Sequence, residues 1–338
     1  MTETAASAGW TDPVWRRTIE SWASEQLSIS GRAVSGQIEQ PHVRPWSTVL
    51  RIPTDAGVIW CKAARPGTAH EARLLPAFAA WGVGSVLPPI AADPERAWLL
   101  LPDGGRTLRQ TWPHGTGDPD LDAWERVLTE YASLQRRVEA RAEELVALGV
   151  PDGRPGQLAG TLARLLDDDA TWNRVADADR DEAARARERL RGAAEWIAAR
   201  VEVLERSGIA ATIQHDDLHD WNVFVGPDGY RFFDWGDSVV AHPFATLVTV
   251  LNSIAYRLGT TPDDPVLQRL RDVYLEAWTD VASRTTLADV LAAALDVGRI
   301  GKAAAWDRAL AGLDPSAMDG HGDAPAGWLM DLAERLPD

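Results

Sequence analysis

Apolar and polar residues alternate in the first third of the chain and then switch period. The alternating run STVLRI (47–52) and the apolar run GVIWCKA (57–63), joined by TDAG, predict two adjacent antiparallel strands. GQIEQ (36–40) predicts a strand before them. ERAWLLLPDGG (95–105) predicts a buried strand that stops at Pro-Asp-Gly-Gly. Helices are expected over residues 12–26, with Pro13 in the first turn, and over 70–82, where Pro76 is expected to break or kink the helix. Residues 83–92 read as a loop with a short strand. From Leu121 the period becomes helical: Trp124, Leu128, Tyr131, Leu134 and Val138 share one face, and Gly149 and Pro151 close the segment. A second long helix is predicted over 179–206, with Leu190, Ala194, Ile197, Val201 and Leu204 on its apolar side, and further helices over 244–258, 265–282 and 287–310. Residues 1–9 lack periodicity and are expected to be disordered. Asp331, Glu334 and Asp338 are expected in a solvated tail.

This pattern is α+β, with strands gathered at the front and helices behind. It divides at LLLPDGG into residues 1–102 and 103–338. Such a junction is a favoured place for a small-molecule site.

Composition narrows the partners. With 45% apolar and 25% charged residues the chain is an ordinary globular one, and no apolar run is long enough to span a bilayer. A formal charge of −16 repels nucleic acid and anionic membranes and suits a cationic small molecule. The start MTETAASAGW has neither a basic end nor an apolar core, so a cytoplasmic location is expected. The single cysteine, Cys61, excludes an intramolecular disulfide and reads as a buried strand residue. The 16 tryptophans supply core volume and flat faces for stacking. Oligomeric state is left open.

One stretch carries the chemistry: HDDLHDWNVFVGPDGYRFFDWGD, from His215 to Asp237, with six aspartates. Val223 to Val225 reads as an outgoing strand, GPDG as a tight turn, and Tyr230 to Phe233 as the return. Such a hairpin brings its open ends together, so Asn222 and Asp234 should stand side by side, with Asp217 in the loop that feeds them. Two oxygen ligands that leave room for water and phosphate suit Mg²⁺, and a divalent cation would offset the repulsion between Asp217 and Asp234. Asp217 is then free to take a proton. Asp228 reads as a turn residue, and local turn roles suit Asp216, Asp220 and Asp237 at least as well as chemistry.

His215-x-Asp217-x4-Asn222 with Asp234 at a strand end resembles the catalytic and metal-binding loops of protein-kinase-like enzymes. The wording HDDLHDWNVFV…FFDWGDS is most similar to the aminoglycoside phosphotransferase and small-molecule kinase family. The resemblance spans about residues 35–255. It implies a two-lobed, protein-kinase-like fold, with a small antiparallel-sheet N-lobe and a larger, mainly helical C-lobe. It implies ATP (or GTP) and Mg²⁺ as cofactors, a hydroxylated acceptor of amino-sugar type, Asp217 as catalytic base, and Asn222 and Asp234 as metal ligands. Lys62, at the end of its strand, would reach the nucleotide phosphates, steadied by Glu71. The loop PHVRPWST lacks the glycines of a phosphate loop, so Ser47 and Thr48 are expected to offer hydroxyls and N–H groups instead. The backbone around Pro102 to Gly104 would hold the nucleobase, and His215 would prop the loop. Asp216 and Trp221 stand where the family commonly has glycine, and Thr246 near where it usually has aspartate.

Two other readings compete. His215, His219 and Asp234 would make a zinc trio for a hydrolase, although the segment feeds a hairpin rather than a helix. A kinase-like fold that only binds a ligand would suit the weak phosphate loop.

Overall fold

A computed structural model describes residues 8–112 and 117–337. Its front is a five-stranded antiparallel sheet built from β1 (Glu39–Val43), β2 (Ser47–Thr54), β3 (Gly57–Ala64), β4 (Ala91–Asp93) and β5 (Trp98–Pro102), in the order β1-β2-β3-β5-β4. The register sets Val49 opposite Lys62 and Leu50 opposite Cys61. Because side chains alternate along a strand, each strand serves two faces. Leu50, Ile52, Cys61 and Leu100 are buried against Ile19, Ala23 and Leu27 of helix α1 (Pro13–Ile29). Asp12 caps that helix by accepting from the Val14 N–H. Val49, Trp60, Lys62 and Leu101 line a cleft on the other face. Cys61 is fully buried on the core side, as its setting implied.

Across the cleft lie the helices. α2 (Glu71–Ala80) borders the cleft through Glu71 and Leu75, and α3 (Leu121–Val138) buries Trp124, Leu128, Tyr131, Leu134 and Val138, the face its period predicted. α4 (Pro155–Asp167), α5 (Arg180–Gly192) and α6 (Ala194–Arg206) follow. Short strands β6 (Thr212–Gln214) and β9 (Val239–Ala241) pair around the hairpin of β7 (Val223–Gly226) and β8 (Gly229–Phe232). α7 (Thr246–Leu258), α8 (Gln268–Leu275), α9 (Arg284–Leu310) and α10 (Ala324–Glu334) complete the chain. This is the α+β, protein-kinase-like, two-lobed arrangement. Among the described residues no helix is long and apolar enough to cross a membrane.

Several expectations need correction. β1 starts at Glu39 rather than at 36, and its pairing is irregular between Glu39 and His42. It is an edge strand with mostly exposed side chains, so no buried face pins its register. α2 runs unbroken through Pro76, held by buried Leu74, Leu75 and Phe78. The helix expected over 179–206 is two, divided at Ala193 directly after Gly192, a residue that disfavours helix more than any other except proline. The C-terminal acids are not in a loose tail. α10 buries Leu329, Leu332 and Ala333, and Asp331 bonds the buried Arg299 of α9 at 2.6 Å, while Glu334 is exposed and Asp338 lies outside the described residues. Of the stretch expected to be disordered, residues 1–7 are also outside them, but Ala8–Thr11 is a helical turn whose Trp10 Nε1 donates to the Arg44 carbonyl at 3.0 Å.

Candidate active site

The hairpin folds as its turn residues dictate. Val223 pairs with Phe232 and Gly226 with Gly229, whose φ of +131° is open to glycine and costly for other residues. Pairing continues past the strands, since the Phe233 N–H donates to the Asn222 carbonyl at 3.2 Å. Asn222 and Asp234 therefore flank one open end. Asp234 is left-handed (φ 65°, ψ 63°), and its half-exposed carboxylate lines the cleft.

Ammonium groups offset the expected repulsion among carboxylates. Lys62 Nζ lies 2.5 Å from both Glu71 Oε2 and Asp234 Oδ1. Glu71 in turn accepts the Trp235 N–H at 2.9 Å through Oε1. Strand β3, helix α2 and the loop after β8 thus meet on one buried ion pair. Burial opposes charge on Lys62, but Asp234 and Glu71 outweigh it and hold its pKa above the ordinary lysine value. Burial pushes Glu71 up, and Lys62 pulls against it. Burial also works against the Asp234 carboxylate, yet Lys62 keeps its pKa below the usual range.

Asp217 is held from two sides. Oδ2 accepts from Asn222 Nδ2 at 3.1 Å and lies 3.2 Å from His219 Nε2, while Oδ1 lies 3.2 Å from Lys302 Nζ. Burial opposes its charge, but Lys302 and His219 depress its pKa well below the carboxylate range. His219 shifts upward: burial resists the proton, and Asp217 stabilises it. Beside them Asp237 is raised to about 7 by burial and by the negative charge of Asp217.

His215 braces the loop. Its backbone N–H donates to Tyr131 Oη at 2.7 Å, its Nε2 meets the Phe233 carbonyl at 2.8 Å, and its ring packs on Trp235. Asp220 is an anchor, between Arg257 Nε at 3.1 Å and Arg109 Nη1 at 3.6 Å. Asp228 sits in the hairpin turn. Thr246 stands at the start of α7, where Oγ1 meets Tyr131 Oη at 3.4 Å.

Two connected spaces open here. A cavity of about 310 Å³ lies between the sheet and the hairpin, walled by Val49, Trp60, Leu101, Phe224 and Phe233, with Lys62, Glu71 and Asp234 at one end. Phe224 and Phe233 stack with centroids 3.9 Å apart. A smaller space of about 80 Å³ shares Ser47, Lys62 and Asp234 with it and adds Asp217, Asp237, Trp46 and Trp306.

Of the residues singled out from the sequence, Ser47, Lys62, Glu71, Pro102, Asp217 and Asp234 line one or both spaces. Thr48 does not. Strand alternation turns it to the core side with Leu50, where it is fully buried and its hydroxyl donates to the His42 carbonyl and accepts from Gln40 Nε2. Gly104 lies behind the cleft wall: a Cβ there would sit 2.2 Å from the Phe224 ring, and its neighbours Asp103 and Gly105 line the cavity instead. Sequence reading missed His219 as a partner of Asp217, although its spacing of two was in view. It also missed Lys302, whose one signal is a lone lysine in the small, apolar run GRIGKAAAW.

The donor atoms fit a small hard cation. Asn222, which is buried and lines neither space, commits its amide nitrogen to the carbonyl and carboxylate of Asp217, which leaves its Oδ1 uncommitted, and Asp234 meets Lys62 through Oδ1, which leaves Oδ2. Two oxygens suit an ion that completes its shell with phosphate and water. The zinc trio is not assembled. Among the described residues no three His, Cys, Asp or Glu side chains converge as a metal-holding group, and His215 Nε2 is spent on a backbone carbonyl.

The bilobal fold, the ion-paired lysine and the carboxylates at the hairpin end define a phosphotransferase. The model of the phosphotransferase enzyme family matches residues 32–283, and the chain belongs to that family. A search of curated proteins finds no match. Among solved structures the chain is similar to a macrolide 2'-phosphotransferase from Brachybacterium faecium (16% identity, 95% of this chain and 99% of that one, TM-score 0.53). It is similar to a Plasmodium vivax ethanolamine kinase (14% identity, 89% and 82%, TM-score 0.57). It is also similar to a choline kinase from Cryptosporidium parvum (11% identity, 89% of both chains, TM-score 0.57). At these identities the likeness is one of fold.

Proposed function

We propose that the protein is a cytoplasmic, ATP-dependent O-phosphotransferase acting on a small hydroxylated, amine-bearing acceptor of the amino-sugar kind. The observation that carries this reading is that Asp217 and Asp234 face one small space that opens beside an apolar cavity, with Lys62 at the junction. The purine would lie against Phe224 and Phe233, and the phosphates would reach toward Lys62 and Ser47. Residues 1–102 would supply the nucleotide side and 103–338 the acceptor side.

Asp217 would accept the hydrogen bond of the acceptor hydroxyl and take its proton as the oxygen attacks the terminal phosphorus. Its depressed pKa keeps it ionised, and its contacts with Asn222, His219 and Lys302 aim it. Lys62, fixed by Glu71, would neutralise phosphate charge. Asn222 and Asp234 would hold Mg²⁺, which when bound screens the phosphate oxygens. Most of the catalytic effect would come from positioning in a partly dehydrated cleft. Support for a cationic acceptor comes from the three carboxylates, Asp217, Asp234 and Asp237, and the two indoles, Trp46 and Trp306, around the smaller space, and from the net charge of −16.

The test is Asp217→Ala with Mg·ATP and a panel of amino sugars and amino alcohols. Phosphate transfer should fall by a factor of about 10²–10⁴, while Mg·ATP affinity stays within about threefold. Equal loss of transfer and nucleotide binding would make Asp217 a structural residue and overturn the assignment.

A further inference from the structure

Lys302 lies outside the residues that the family model matches, on the long helix α9. It is 4% exposed. Its ammonium meets the Asp216 carbonyl at 2.5 Å and Asp217 Oδ1 at 3.2 Å. A buried lysine amid Gly301, Ala303, Ala304 and Ala305 has no packing rationale that alanine would not serve better. What it touches is the backbone step that aims Asp217.

That step is strained. Asp216 has φ of +62°, a left-handed conformation uncommon outside glycine. Its carbonyl accepts two bonds, from Lys302 and from Thr249 Oγ1 at 2.9 Å, and its Oδ1 accepts from Gln214 Nε2 at 3.0 Å. Helix α9 can reach this loop because Gly298, one turn before Lys302, packs where a Cβ would lie 3.0 Å from Val248 and 3.1 Å from Ala245. One turn after Lys302, Trp306 lines the smaller space together with Asp217. The Asp217 carboxylate is thereby gripped on Oδ1 by Lys302 and on Oδ2 by Asn222 and His219. A carboxylate offers about four lone-pair sites, so three donors leave about one for an incoming hydroxyl.

We propose that Lys302 is a positioning residue for phosphoryl transfer: by holding the Asp216 carbonyl and Asp217 Oδ1 together, it fixes the direction in which Asp217 presents its free lone pair. The proposal rests on the reading of Asp217 as the base. It makes helix α9 part of the reaction apparatus rather than a scaffold for it.

The test uses the full chain and Mg·ATP with water as acceptor, so that no acceptor needs to be known. Turnover to ADP and the Mg·ATP dissociation constant are measured for wild type, Lys302→Met, Lys302→Arg, Asp217→Asn and the Lys302→Met/Asp217→Asn double variant. Lys302→Met should lower turnover about 100-fold, the scale of a misaimed catalytic group, with Mg·ATP affinity within about threefold. Lys302→Arg, which keeps the charge but not the geometry, should recover to about tenfold below wild type. The double variant should be no slower than Asp217→Asn alone, because both changes act through one carboxylate. Effects that multiply in the double variant, or a nucleotide affinity that falls in step with turnover, would make Lys302 a general structural residue. If Lys302→Met does not fold, Lys302→Arg decides: turnover equal to wild type overturns the role. Asp217→Asn turning over as fast as wild type overturns the parent reading and this proposal with it. A slow Asp217→Asn beside a wild-type Lys302→Met overturns the role of Lys302 alone.

Discussion

Replacing Lys62 by methionine keeps the length of the side chain and removes its charge. What remains is Glu71, 1% exposed, still accepting the Trp235 N–H but with no cation beside it. A carboxylate so enclosed takes up a proton rather than stay charged. Holding a glutamic acid of ordinary pKa neutral at pH 7 costs about 3.7 kcal/mol, from about 2.7 pH units at 1.36 kcal/mol each. This agrees with the cost of about 3–5 kcal/mol for breaking a buried pair by removing one partner. For 338 residues unfolding together, with an entropy of about 2.1 cal/mol/K per residue, the loss amounts to about 5 °C in Tm. The penalty depends on pH with a definite sign. Neutral Glu71 becomes easier to hold as pH falls, so at pH 5 the cost drops to about 1 kcal/mol. The Tm deficit of Lys62→Met should shrink to about 1–2 °C there. A Lys62→Met/Glu71→Gln double variant keeps the acceptor for Trp235 and has no charge to bury, so it should recover most of the Tm at pH 7. Calorimetry of the three proteins at pH 5 and 7 measures all of this. A deficit of the same size at both pH values, or a double variant no better than the single, would show that the stability of this junction does not come from pairing a desolvated carboxylate.

Two more expectations follow from buried groups. Burial lowers His70 and His215 to about 4 and His242 to about 3, while Asp237 is raised to about 7. The histidines take protons only on unfolding, so the stability they permit is lost as pH falls from about 6.5 through about 4; Asp237 acts in the opposite sense, losing stability as pH rises through about 7. Three against one leaves uptake of roughly two protons on unfolding near pH 5.5, a slope of roughly 3 kcal/mol per pH unit from these groups; a Tm flat between pH 5 and 6.5 would contradict it. Gly104→Ala would push a Cβ within 2.2 Å of Phe224. The ring must shift against Phe233, at a cost of about 1–3 kcal/mol, and ATP affinity should fall with little change in the turnover of bound nucleotide; unchanged affinity would place the nucleobase elsewhere.

Much of what depends on local chemistry was legible in the sequence, though not the helix division after Gly192 or the unbroken helix through Pro76. The alternation of STVLRI, the Pro-Asp-Gly corner and the helical period of Trp124 to Val138 fix their own conformations through short-range sterics and one-sided burial. The hairpin in particular has few ways to fold, so the adjacency of Asn222 and Asp234 follows from residues 222–234 alone. Even the exclusion of Thr48 from the cleft was present in the strand period, which cannot put Ser47 and Thr48 on one face. What only the tertiary structure decided are meetings between distant segments. The pairing of Lys62 with Asp234 spans 172 positions, that of Lys302 with Asp217 spans 85, and the seating of α10 on α9 depends on a face that local pattern leaves unassigned. No short-range rule links such pairs. They are selected because a charge or an apolar stripe removed from water must find its partner in whatever else the packing brings near.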